Sequence, residues 1–254
     1  MHALAPIDCF DVLRFGGIVE THHWRYVQDT RDEFVADPRR VYELGHRLAT
    51  MLRRARPRDP MARDLLTERH VLFASYACLG AYAFERYGLD YVQLCRASDK
   101  GVADLVREMS GDPREDVGCR RKLLQMRISG CSELAQLVRF CELAATARAL
   151  RGLADADPGW LTAKAWTGQP NHYELGSWVD HAVELTRAMG GGLFAGEAFP
   201  VLRAKFADLL ADLYSRSKVR QARRAARERA RREAEAAAAE DPAPPAPGAD
   251  VDAA

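Results

Sequence analysis

Apolar residues recur at intervals of three and four along most of the chain, the period of helices that bury one face, and alternation with period two is almost absent. This spacing predicts a helix from Pro38 to Arg56, with Val41, Leu44, Leu48, Met51 and Leu52 on one side and Ala36-Asp37-Pro38 at its start. Pro57-Arg58-Asp59-Pro60 then breaks the chain. A second helix is expected from Met61 to Tyr87, carried by Leu65, Leu66, Val71, Leu72, Tyr76, Leu79 and Ala83. Between Phe73 and Phe84 it is so apolar that it reads as a central, nearly fully buried helix. Gly80 and Ala81 would let another helix approach closely, and Gly88 ends it.

A short helix should follow Asp90-Tyr91, and another should cover Asp99–Met109. Arg120 to Leu150 reads as two amphipathic helices meeting at Ser129-Gly130, with Ser132 as N-cap of the second. In that second helix Leu134, Leu137, Val138, Cys141 and Ala145 form a core-facing stripe, and Glu142 lies on or beside it. Two readings of Glu142 stand. It pairs with Arg139 at i, i+3 and the pair reaches water, or it is buried and requires a partner, a metal or a proton. Beyond Pro158 come Trp160, Trp166 and Trp178, then amphipathic helices over Tyr173–Met189 and Ala198–Tyr214, separated by Gly190-Gly191-Gly192. The fold class is all-α.

The two ends differ from this body. Residues 1–35 give no clear pattern: Phe15-Gly16-Gly17-Ile18 suggests a turn. Next to it, His22-His23-Trp24-Arg25-Tyr26 is dense in rings. Adjacent histidines diverge by about 100° on a helix and seldom hold one metal, so a capping or packing role is favoured. From Lys218 to Arg232 there are eight basic residues and one Glu, and from Glu233 to Ala254 six acidic residues and none basic. Without interleaved aromatics for base stacking, this segment is expected to be a solvated helix fraying into disorder, with nucleic acid not expected as a partner. The domain division is therefore 1–216, with 1–35 as an N-terminal extension, followed by 217–254 as an Arg-rich helix running into an acidic Pro/Ala tail.

Composition adds limits. At 48% hydrophobic, 29% charged and net charge +1, the chain resembles an ordinary soluble protein. No apolar run approaches the ~20 residues of a membrane span. No basic and apolar leader is seen at the N-terminus, so a cytoplasmic location is expected. Six cysteines without Cys-x-x-Cys spacing read as reduced thiols rather than disulfides or a zinc site.

Leu137-Val138-Arg139-Phe140-Cys141-Glu142 through Arg148-Ala149-Leu150 resembles the L-V-K-L-A-D-K-x-x-N-L-R-x-L segment of the HD-domain hydrolases of the RelA/SpoT type, especially the small alarmone hydrolases. The likeness extends, in order, from about Ala77 to Tyr214. Tyr76-Ala77-Cys78-Leu79-Gly80-Ala81-Tyr82-Ala83-Phe84-Glu85-Arg86 stands in place of A-A-L-L-H-D-T-V-E-D, and Val102–Pro113 resembles the V-x-x-L-V-x-x-V-T-D-D segment. Asp157–Trp160 resembles an acidic-Pro-Gly-Trp turn of small members.

The resemblance implies an HD-domain-like helical bundle with a disordered charged C-terminal tail. In the family a His, a His-Asp pair and a later Asp bind a divalent cation, commonly manganese, which activates water to remove pyrophosphate from a guanine nucleotide. Here the His-Asp pair is Ala81-Tyr82, Glu142 takes the place of the later Asp, and Thr146 that of an Asn. Only His46 is available as first ligand. The resemblance therefore implies a degenerate, non-catalytic protein that binds a nucleotide or a protein partner around Tyr82, Glu85, Arg86, Glu142, Thr146 and Arg148. The alternatives are an active metal-dependent phosphohydrolase with manganese held by rearranged ligands (His46 and Glu142, or ligands drawn from His22, His23, His46 or His70) and a structural helical adaptor.

Overall fold

The structure is a computed structural model that describes residues 9–30, 35–55, 67–112, 114–156, 175–190 and 198–240. Among them every regular element is helical. In order these are α1 (Cys9–Thr30), α2 (Pro38–Ala55), α3 (Glu68–Leu79), α4 (Tyr91–Ala97), α5 (Lys100–Met109), α6 (Val117–Arg127) with a 3-10 turn at Ile128–Gly130, α7 (Glu133–Ala156), α8 (Leu175–Ala188) and α9 (Ala198–Glu240). No helix among the described residues is long and apolar enough to cross a membrane.

Two helices organise the rest. α3 packs on α1, α2, α5 and α7, while α7 packs on α2, α3, α5 and α9, and α8 lies against α6 and α9. Because α7 has neighbours on every side, all residues from Ala135 to Ala147 are buried, not only the apolar stripe. Arg139 and Glu142 are thus inside the protein, and their pairing does not bring them to water. Gly45 permits the tight contact of α2 with α3, since a Cβ there would collide with Cys78 Sγ.

Local signals set the boundaries. Thr67 and His70 form a reciprocal capping box at the start of α3, and Asp90 and Gln93 form one at α4. Asp99 caps α5 through the Gly101 N–H at 2.6 Å, and Ser132 caps α7 by accepting from the Ala135 N–H at 3.3 Å. Residues 56–66 and 157–174, which include the Pro57–Pro60 break, Trp160, Trp166 and the Asp157–Trp160 turn, lie outside the described residues.

Three expectations change. The Phe15-Gly16-Gly17-Ile18 stretch is part of α1, not a turn: Phe15 is fully buried and stacked on Tyr76, and Gly16 faces Leu79. The central helix stops at Leu79 instead of Tyr87, because Gly80 caps it and Phe15 occupies the space a larger residue would need. Tight turns then carry Gly80–Arg86, with Ala83 N–H bonded to Gly80 O at 2.9 Å, until Gly88 reverses the chain at φ +67°. Finally, the Ala198–Tyr214 helix and the Arg-rich helix expected from residue 217 are a single element, α9, continuous to Glu240. Residues 241–254 are outside the described set.

Candidate functional site

The turn after α3 and the middle of α7 together bury a polar cluster. Tyr82, released from the helix by Gly80, turns its ring into the core, where its hydroxyl lies 2.8 Å from Thr146 Oγ1 and accepts the Ala36 N–H at 3.2 Å. Burial and the negative charge of Glu142 hold this phenol well above its ordinary range, so it is a neutral hydrogen-bonding group and not a phenolate. Three residues on, Glu85 accepts the Gly111 N–H at 2.6 Å. Gly111 cannot be larger, because a Cβ would run into the Arg120 side chain.

Arg139 lies between two carboxylates: Nη1 is 2.6 Å from Glu142 Oε2 and 3.8 Å from Glu85 Oε1, with all three side chains 6 or 7% exposed. Glu142 Oε2 nevertheless finds no partner in hydrogen-bond alignment, so its contact with Arg139 is mainly Coulombic. Burial raises the Glu142 carboxyl to about 7; Arg139 opposes this, Glu85 adds to it, and Arg86 and the Tyr82 hydroxyl oppose it more weakly. The desolvation of the acid therefore exceeds what its cation returns.

Tyr82, Glu85, Arg86, Glu142 and Thr146 are brought together in space. Arg86 is half-buried at the edge, its Nη1 donating to Tyr26 Oη at 3.4 Å, and its charge is felt by Glu142. Arg148 is not part of the cluster. It is exposed and lines a groove of about 690 Å³ with His23, Asp37, Arg40 and the apolar residues Val27, Val35, Ala149 and Leu153. Ala36 belongs to both sites: it lines the groove while its N–H is held by Tyr82. A larger hollow of about 830 Å³ between α5 and α6 is lined by Arg107, paired with Asp104 at 3.0 Å, by Glu108, which accepts from Ser132 Oγ at 2.7 Å, and by Arg127, which donates to the Ser110 carbonyl.

The histidines disperse. His23 Nδ1 is 3.0 Å from Tyr87 Oη, with its pKa lowered by burial. His46 is exposed, its Nδ1 3.3 Å from Ser75 Oγ, and His70 is engaged in the capping box. His181 is the residue the sequence reading did not place in the site. It is buried on α8 with Nε2 unpartnered, and its pKa is driven down to about 3 by burial and by Arg139 and Arg121. Its position, three after Trp178 and four before Leu185 on the apolar face of α8, was the available signal.

The divalent cation that the resemblance implies does not suit these donors. Glu85 and Glu142 face a guanidinium, Tyr82 is a hydrogen-bonded phenol, and His181 faces two cations that would repel a third. Among the described residues no three His, Cys, Asp or Glu side chains converge as a metal site would require. No protein-family model, no curated protein and no solved structure matches this chain.

Proposed function

We propose that the chain is a helical protein similar to the HD-domain (p)ppGpp hydrolases that binds a guanine nucleotide without hydrolysing it. The observation that carries this reading is Arg139, a buried guanidinium between the two carboxylates Glu85 and Glu142. It supplies positive charge where the family resemblance implies a cation. A guanidinium has no open coordination position and cannot lower the pKa of a bound water as a metal does, so the charge survives without the chemistry. The adjoining groove offers two more arginines, Arg40 and Arg148, over an apolar lining. This combination suits phosphates beside a base.

Calorimetric titration with guanine nucleotides, with and without manganese, tests the proposal. Saturable binding is expected, unaltered by manganese, with no release of pyrophosphate, and Arg40→Gln with Arg148→Gln should weaken it about tenfold or more. Manganese-dependent release of pyrophosphate would establish the metal-dependent phosphohydrolase instead. Absence of any heat with every nucleotide would leave a protein partner or an adaptor role.

A further inference from the structure

The last helix carries a feature that the core site does not use. Among the described side chains of α9 the final buried one is Leu213, and Arg216 still reaches back to Asp155 at 2.8 Å. Beyond it, Ala222 and every residue from Ala225 to Ala236 are exposed, while the backbone stays helical to Glu240. At ~1.5 Å per residue, the stretch from Ser217 onward extends for roughly 36 Å. With ~100° between successive residues, Arg220, Arg223, Arg224, Arg227 and Arg231 fall within an arc of about 100°, over some 16 Å of axis. Alanines at 222, 225, 226 and 230 share the rest of residues 218–232 with Lys218, Arg229 and Arg232, and Glu228 is the one acidic residue among them.

We propose that this arginine face binds duplex DNA, the helix lying in the major groove with its arginines on the phosphates and base edges that line it. An α-helix with side chains fits the ~12 Å major groove of B-form DNA, whereas the deep, narrow groove of A-form RNA does not admit one. The segment lacks the large apolar residues an interfacial membrane helix inserts, and it lacks the aromatics that stack single-stranded bases. The intrahelical contact of Arg231 with Glu235 at 3.1 Å is exposed at both ends and exchanges readily for a phosphate. Glu233, Glu235 and Glu240 bound the footprint on its C-terminal side. The expectation of no nucleic-acid partner rested on the missing aromatics, which stack single-stranded bases and are not required on a duplex.

Fluorescence anisotropy of the full chain with a labelled DNA duplex of arbitrary sequence tests this. Affinity should fall with salt at a log–log slope of about −4 to −5, as for five phosphate contacts at ~0.9 each. Replacing Arg220, Arg223, Arg224, Arg227 and Arg231 by Gln keeps helix propensity close to that of Arg, and should flatten the slope and weaken binding more than tenfold at low salt. The smaller pair Arg223→Gln with Arg227→Gln should lower the slope by about two. Gln at Lys218, Arg229 and Arg232, on the other side, should cost less than the five-residue change. No binding to the duplex, an unchanged slope in the five-residue variant, or binding to polyglutamate, double-stranded RNA or anionic vesicles as tight as to DNA would each overturn the proposal.

Discussion

Two Arg–Glu pairs on long helices show how little spacing alone decides. Arg139 and Glu142 are three residues apart on α7, Arg231 and Glu235 four apart on α9, and both pairs are in contact. The first pair is 6% exposed on each side chain, the second 77% and 63%. On α9 water and salt screen the charges and the pair contributes a few tenths of a kcal/mol. On α7 both ions have lost their hydration: Glu142 and Glu85 offset the burial of Arg139, whereas Glu142 has Arg139 as its main compensation and is opposed by Glu85. The surrounding helices set the energy of the contact, and the contact itself is nearly the same.

The strongest way to break this comparison is to remove the buried cation. Arg139→Met should destabilise the protein by ~3–5 kcal/mol, since Glu142 and Glu85 are then buried without their guanidinium. Urea unfolding should show a larger loss at pH 8 than at pH 5, where the stranded acids can take up protons. A loss below about 1 kcal/mol at pH 8 would mean the cluster is wet.

Glu142→Gln removes charge with little change of shape. The folded carboxyl sits at about 7 against an ordinary 4.5, so the native state holds the proton more tightly than the unfolded chain. Stability from this group is fully present below 4.5 and is lost as pH rises through 7. His181 acts in the opposite sense, because its folded pKa is about 3 against 6.5. Its contribution is complete above 6.5 and disappears as pH falls through 3. The variant should therefore gain on the wild type by up to ~3 kcal/mol between pH 5 and pH 8, leaving an acid limb to which His181 and His23 both contribute. A difference that does not change with pH would place Glu142 in water.

Thr146→Val tests the neutral half of the cluster. It removes the partner 2.8 Å from the Tyr82 hydroxyl at almost constant volume, and a loss of about 1–2 kcal/mol is expected by chemical denaturation. Because Tyr82 also holds the Ala36 N–H, amide exchange at Ala36 should quicken with it. An unchanged stability would show that water replaces the threonine hydroxyl.

The smallest effects belong to α9. Arg231→Gln should move the Tm by no more than about 1 °C. Ending the chain after Ser217 should have a similarly small effect, as the last core residue among the described side chains is Leu213. A drop of several degrees would show that the distal helix packs on the body and that the two regions are less different than drawn.

Much of the fold could be read from local sequence. Period and end signals suffice for α2, α5 and α8, because Asp99, Gly190 and the apolar rows at i, i+3 and i+4 act over a few residues. The capping Ser132 and the break at Ser129-Gly130 are local in the same way. The Glu142–Arg139 pairing was visible too, since three residues of helix bring the side chains together.

What the sequence did not decide depends on elements far apart in the chain. The glycines of α1 read as a turn until Tyr76 and Leu79 cover that face, and α3 reads through Tyr82 until Phe15 closes on Gly80. Whether the Glu142 pair faces water is settled by α2, α3, α5 and α9 around α7, and the placing of His181 beside Arg139 by α8. Period and caps are properties of neighbouring residues, whereas burial, and with it the energy of every charge in the cluster, is a property of what the rest of the chain packs against it.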